Sequence, residues 1–165
     1  MRITVIGLNP ALQKSLRIPP LNPGKVHRAF ASPLLTIGGK GQNCAYALEQ
    51  LSLLYSTPNV DLALHQFDEC DSSPLSTLWP NLENLAIVST LTNNPVRTCT
   101  TLVQPEGIST EIVEPTSPVT DALLDSFLSS LQPTDFLVMM GSIPPNAGDD
   151  IYGRCVSKSR PTIAI

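Results

Sequence analysis

The sequence predicts an α/β fold: a parallel sheet flanked by helices, with a small β flap over one end. Three observations carry this expectation. Short apolar runs alternate with segments of helical period. Sixteen prolines stand singly or in pairs between those runs, as punctuation and not as a linker. One Thr-rich hairpin has no place in a buried parallel sheet. At 165 residues the chain fits a single domain over residues 1–165, long enough to bury a core.

The first run, "RITVIGL" at 2–8, is β-branched and apolar and is closed by Asn9 and Pro10, which predicts a buried strand. "SLRIPPLNPG" (15–24) predicts a brief strand broken by a proline-rich turn. "KVHRAFASPLLTI" (25–37) mixes alternation with Pro33, as a partly exposed edge strand does. From Gly41 the period changes. Cys44, Ala47, Leu48 and Leu51 recur at i, i+3, i+4 and i+7, which predicts a helix burying that stripe.

"VDLALHQF" (60–67) and "AIVSTL" (86–91) predict two further core strands, with a weak helix near "LSTLW" (75–79) between them. "RTCTTLVQ" (97–104) and "ISTEIVE" (108–114) form the Thr-rich hairpin, turned by Pro105, Glu106 and Gly107, whose glycine can take positive φ. Thr120 is placed to cap a helix over 121–131, with Leu124, Phe127, Leu128 and Leu131 as its apolar face. "DFLVMMGS" (135–142) predicts another buried strand, "DDIYGRCVSK" (149–158) a helix favoured by its two leading aspartates, and "PTIAI" (161–165) the start of one more strand.

Composition narrows the chemistry. With 15% charged residues and a net charge of -4, no basic face invites nucleic acid or an anionic membrane. An anionic small molecule needs only one or two local cations. No signal-peptide core and no apolar run of membrane-span length is present, which predicts a soluble cytoplasmic protein. Cys44, Cys70, Cys99 and Cys155 lack CxxC spacing, and His27 and His65 stand apart. Reduced, buried thiols are therefore expected in place of a zinc site or a disulfide framework.

The segment "TIGGKGQNCAYAL" (36–48) sets Gly38, Gly39, Lys40 and Gly41 where a strand hands over to a helix. In open α/β sheets ligands collect at that edge, and a helix start offers free N–H groups to an anion. The glycines let a ligand approach the backbone, Lys40 adds charge, and Asn43 offers a donor and an acceptor. The junction is thus either a cradle for a phosphorylated polyol or a glycine turn joining two elements. It is neither a Walker A loop, lacking Ser or Thr after the lysine, nor GxGxxG, having Cys44 at the third glycine. Arg97 offers a guanidinium fork for a phosphate, or else a solvated edge charge. Ser142 in "GSIPP" lies on the same edge or caps a turn. The acidic group Asp68, Glu69 and Asp71 is expected to be a solvated loop.

Five ordered segments carry a wider resemblance: "TVIGLNPALQKSLRIPPLNPGKVHRA", "GGKGQNCAYAL", "VRTCTTLV", "STEIVEP" and "GSIPP". Together they resemble the PfkB-type carbohydrate kinases of the ribokinase-like fold, in the branch of 1-phosphofructokinase and tagatose-6-phosphate kinase. The resemblance implies phosphorylation of a sugar phosphate by ATP with Mg²⁺ under a β-sheet lid, here about 13–37 and 96–114. It implies that Gly38, Gly39, Lys40 and Asn43 bind sugar hydroxyls, and that Arg97 and Ser142 lie near the phosphorylated acceptor. Lys25 and Arg28 would reach a neighbouring subunit's substrate in a homodimer formed through the lid.

Departures from the family pattern are equally specific. Gln13 stands where the family has a sugar-binding Asp, and "DECDSSP" (68–74) replaces a glycine-rich turn. The family's downstream Gly-Ala-Gly-Asp motif, whose Asp acts as base and whose amides hold the transferring phosphate, does not occur, so no catalytic residue is assigned. An apolar strand at the end of the chain leaves a sheet edge open. These departures lead to the expectation that the C-terminal half is absent and that the chain alone is inactive. The alternative is a non-catalytic sugar-phosphate-binding or lid-mediated interaction protein.

Overall fold

The computed structural model describes residues 1–55 and 59–165, which form two sheets. The larger has strand order β5-β4-β1-β8-β9 and is parallel throughout. Its strands are β1 (Arg2–Ile6), β4 (Asp61–Asp68), β5 (Leu85–Leu91), β8 (Phe136–Met139) and β9 (Ile163–Ala164). β1 lies in the middle, pairing Arg2–Ile6 with Asp61–His65 on one side and Ile3–Ile6 with Phe136–Met139 on the other. Because side chains alternate along a strand, Val5 and Ile6 enter opposite cores. Ile6 joins Phe67, Leu137 and the inner faces of α3 (Asp121–Ser130) and α4 (Ile151–Ser159). Val5 joins Leu62, Leu64, Leu85 and Ala45 of α1 (Lys40–Leu54).

The smaller sheet, β3-β2-β6-β7, gathers β2 (Ala11–Arg17), β3 (Leu34–Gly38), β6 (Thr98–Val103) and β7 (Ser109–Val113). It is the β flap expected from the sequence, and its hairpin turns as the sequence implies. Pro105 opens a 3₁₀ turn, and Gly107 takes φ +76° with Glu106 at φ +63°. The 25–37 segment is a strand only over Leu34–Gly38. The rest is irregular, held at Phe30 by its N–H donating to the Arg17 carbonyl. Pro33 has no N–H to give a ladder, so pairing begins after it.

Most local signals hold. Thr120 Oγ1 accepts the Leu123 N–H at 3.3 Å and caps α3, which buries Leu124, Phe127 and Leu128, and Leu131 just beyond it is buried too. α2 (Pro74–Leu78) is a single turn capped by Ser73. Asp150 takes the N-cap position of α4 without a side-chain bond. Among the described residues no helix is long and apolar enough to cross a membrane. All four cysteines are free, but only Cys155 is buried, and burial raises its thiol pKa to about 11.

Two further expectations fail. Of the stripe Cys44, Ala47, Leu48 and Leu51, only Cys44 and Leu48 pack against the core, half-buried, and the face that α1 turns fully inward is Gly41, Gln42, Ala45, Glu49 and Ser52. Leu51 stays 48% exposed, followed by Leu54 at 72% and Tyr55 at 73%. The helix is rotated because its polar inner residues have specific partners. Glu49, with no exposed surface, accepts the N–H groups of Glu83 (2.7 Å) and Asn84 (3.1 Å) that lead into β5. Nor is Asp68 part of a solvated loop. It ends β4 buried, with Oδ1 accepting the Glu69 N–H at 2.8 Å.

His65 on β4 is buried beside the Phe127 ring, with Nδ1 3.0 Å from Ser130 Oγ. Burial lowers its pKa from 6.5 to about 4 by penalising the imidazolium. Below pH 6.5 the unfolded chain therefore binds a proton that the folded chain refuses. The stability linked to a neutral His65 is complete above that pH and drains away as pH falls toward 4, on the order of 3 kcal/mol in all. Thermal melts from pH 7.5 to 4.5 should show this decline, and His65→Gln should flatten it. Glu49→Ala takes the buried acceptor from the Glu83 and Asn84 N–H groups and should cost about 2–3 kcal/mol in urea denaturation.

Candidate functional site

The carboxyl end of β1 runs straight into the start of β2 through Gly7, Leu8, Asn9 and Pro10, all buried. Against this turn lies the first turn of α1. A Cβ on Gly41 would overlap the Gly7 Cα, so the two backbones touch. Gly39 is the N-cap at φ +117°, ψ +139°, a conformation suited to glycine, and makes no side-chain cap bond. The leading N–H groups of α1 therefore have no capping side chain. Lys40 follows at once and no acidic residue occupies the first turn. A helix start of this kind favours negative charge.

Asn9 ties the site together, and the residue-by-residue reading of the sequence did not single it out. Its Nδ2 donates to Ser142 Oγ at 2.8 Å, its Oδ1 accepts Thr116 Oγ1–H at 2.9 Å, and its carbonyl faces Arg97 Nη2 at 3.4 Å. One buried amide thus joins the segment after β1, the segment after β8 and the start of the hairpin. The signal was present in the shared "LNPA" stretch, where Asn9 served only to end a strand. Gly141 lies beside Lys40, a Cβ there coming within 3.8 Å of the Lys40 Cβ, and its carbonyl accepts Tyr152 O–H at 3.1 Å. Ser142 and the glycine turn therefore share one edge.

Gly38 and Arg97 flank the start of β2. Gly38 pairs with Ala11 across β3, and the Arg97 carbonyl accepts the Leu12 N–H at 2.9 Å on the other side. With strands ~4.8 Å apart, the two stand roughly 10 Å from each other. Arg97 is half-buried, its Nε is enclosed without a hydrogen-bond partner, and it makes no ion pair among the described residues. With Asn9, Asp68, Asn94 and Thr116 it lines a recess of about 40 Å³, room for water and not for a sugar phosphate.

The remaining candidates are spread more widely. Gln13, on β2, donates Nε2–H to Thr101 Oγ1 at 2.8 Å, and its Oε1 lies 3.3 Å from where a Gly38 Cβ would stand. Its carboxamide is therefore directed between Gly38 and the hairpin. Asn43 is exposed and lines a separate groove of about 210 Å³ with Thr36, Ile37, Tyr46 and Trp79. Lys25 and Arg28 are exposed in the irregular stretch before β3, away from the turn. Asn9 joins Arg97 and Ser142, Gly39 and Lys40 lie against Pro10 and Gly141, and Gln13 lies beside Gly38, whereas Asn43 opens onto its own groove and Lys25 and Arg28 are exposed in the stretch before β3. Among the described residues no three His, Cys, Asp or Glu side chains converge.

No protein-family model matches the chain, and no curated protein matches it in sequence. Solved structures do. A possible 1-phosphofructokinase of Thermotoga maritima is 22% identical with a TM-score of 0.78, the match covering 97% of this chain and 51% of that one. Phosphofructokinase-2 of Escherichia coli in complex with substrates and products is 19% identical with a TM-score of 0.81, over 97% of this chain and 51% of that one. The same enzyme in complex with fructose-6-phosphate is 20% identical with a TM-score of 0.75, over 96% and 51%. The likeness establishes that this chain shares the fold of these structures over their matched part, and the chain spans about half the length of the structures it matches.

Asn9→Ala removes the amide on which three segments converge and leaves Ser142 and Thr116 without it. It should lower stability by about 2–3 kcal/mol and broaden the amide NMR signals of residues 97, 116 and 142 together.

Proposed function

We propose that this chain is the acceptor-binding half of a sugar-phosphate kinase, holding a ketose phosphate between the glycine turn of residues 38–41 and Arg97. The observation that carries the reading is the state of Arg97. The half-buried Arg97 has an enclosed Nε without a partner and no ion pair among the described residues, and its backbone stands roughly 10 Å from Gly38, which leads into the uncapped helix start that bears Lys40. A cation without a paired carboxylate is open to an anion, and the fork geometry of Arg suits a phosphate. In this reading Gly38, Gly39 and Lys40 meet the sugar and Asn43 hydrogen-bonds its hydroxyls. Ser142, held by Asn9, faces the phosphorylated end. Gln13 replaces a charged acceptor with a neutral one, which weakens its hold on hydroxyls.

The chain binds without transferring. Phosphoryl transfer needs metal, phosphate-holding amides and a base in one place. The ATP and Mg²⁺ that the resemblance implies have no recognisable main binding region among the described residues. The recess beside Arg97 is also far below the ~300–1,000 Å³ typical of ligand pockets, so further walls or a movement of the smaller sheet are required to enclose a sugar phosphate. A reducing cytoplasmic setting fits the four free cysteines.

Apolar surface on the smaller sheet and its approach favours a second reading alongside the first, a homodimer through the lid. Val26 (80% exposed), Phe30, Leu34 and Ile112 are open to solvent there, and Lys25 and Arg28 would then reach the partner's ligand.

Calorimetry with fructose 1-phosphate, fructose 6-phosphate and tagatose 6-phosphate tests the binding claim, and heat from none of the three overturns it. For the ligand that binds, Arg97→Met should weaken affinity by about 2 kcal/mol, roughly 30-fold, with little change for the phosphate-free sugar. Sustained ATP-dependent phosphorylation by the purified chain would refute the claim that it does not transfer.

A further inference from the structure

Beneath the glycine turn runs a row of buried amides and carboxylate that the proposed binding role does not use. Gln42, in the first turn of α1, is 1% exposed and points into the sheet. Its Nε2 donates to the Gly7 carbonyl at 2.8 Å and to Gln66 Oε1 at 3.0 Å. Gln66, fully buried on β4, directs its own Nε2 toward Asp68 Oδ2 at 3.5 Å and Ser89 Oγ at 3.3 Å.

The row has a direction, and the Gly7 carbonyl sets it. A backbone carbonyl only accepts, so Gln42 must turn its NH₂ toward Gly7 and, with it, toward the oxygen of Gln66. Its Oε1 is then left facing Gly39. That oxygen is enclosed, has no hydrogen-bond partner, and occupies the space where a side chain at Gly39 would be. A methionine or leucine would fill the same volume without burying an unpaired acceptor, so packing alone does not account for a glutamine here.

We propose that Gln42 is a positioning residue. Its carboxamide, oriented by the Gly7 carbonyl and Gln66, wedges Gly39 at positive φ and so aims the N–H groups of Gly39, Lys40 and Gly41 at the ligand. The role in ligand binding rests on the sugar-phosphate reading above, whereas the ordering of the turn does not.

The test compares the full chain with Gln42→Met, which keeps length and loses the amide, by ¹⁵N relaxation and calorimetry. In the ligand-free chain, order parameters at residues 39–41 should fall from about 0.85 toward ~0.6 while those of β4 stay high. Fructose 6-phosphate or fructose 1-phosphate affinity should fall at least about tenfold. Order parameters unchanged at the turn, or lowered equally along the whole chain, overturn the proposal. Gln66→Leu, remote from the turn along the row, removes the second acceptor of the Gln42 NH₂ and should loosen the same three residues, and it decides the matter if Gln42→Met does not fold. A wild-type chain that binds neither ligand defeats the sugar-phosphate reading alone, because the relaxation result still decides the role of Gln42.

Discussion

The end of β1 and the first turn of α1 meet backbone to backbone, at Gly7 and Gly41, and the candidate site is arranged around that contact. Close approach seats the helix start directly on the carboxyl edge of the central strand. It also brings the Gly7 carbonyl within reach of Gln42 and the Gly39 turn within reach of Pro10. A side chain at either position would push α1 outward and separate the glycine turn from the segment that carries Asn9. The same edge receives Gly141 and Ser142 from the end of β8, whose Met140 N–H donates to the Ile6 carbonyl. Strand ends, not surface loops, thus supply the framework, which is where α/β sheets place their ligands.

The interior on the α1 side is unusually polar for a parallel sheet. Gln42, Glu49, Gln66 and Asp68 are all buried, and most of their polar atoms have a partner. A polar network with partners is directional where an apolar core is only close-packed, so it fixes the rotation of α1 about its axis. The consequence appears on the outside of the helix, where Leu51, Leu54 and Tyr55 face water. On the opposite face of the sheet the packing is apolar, with Phe67 and Phe127 in contact at 5.0 Å between ring centroids. The two faces therefore do different work. One holds the fold by burial, and the other aligns the turn that begins α1.

The smaller sheet is attached to the site through β2, its second strand. β2 pairs with β3 on one side and β6 on the other, so Gly38 and Arg97, fifty-nine positions apart in sequence, become neighbours of Ala11 and Leu12. That connection couples any shift of the smaller sheet to both flanks of the site. It also explains why the recess beside Arg97 is small, since the hairpin and the 115–119 segment close directly over Asn9.

The sequence by itself determined the order of the main elements, though it placed the second strand from 15 where pairing begins at Ala11, and drew a strand over 25–33 where the chain is irregular. Period and turn chemistry are local properties, and the α3 stripe, the Thr120 cap and the Pro105–Gly107 turn could each be read within a dozen residues. It also marked the glycine turn, Arg97 and Ser142. The tertiary structure alone decided which face of α1 is inside. The stripe of Cys44, Ala47, Leu48 and Leu51 promised more apolar burial, but Gln42 and Glu49 find partners that lie 24 to 35 residues away. It likewise decided the role of Asn9 and the burial of Asp68, because both are defined by groups from other strands. Periodicity measures what a segment can bury on its own, whereas a hydrogen bond between distant residues exists only once the chain has brought both partners together.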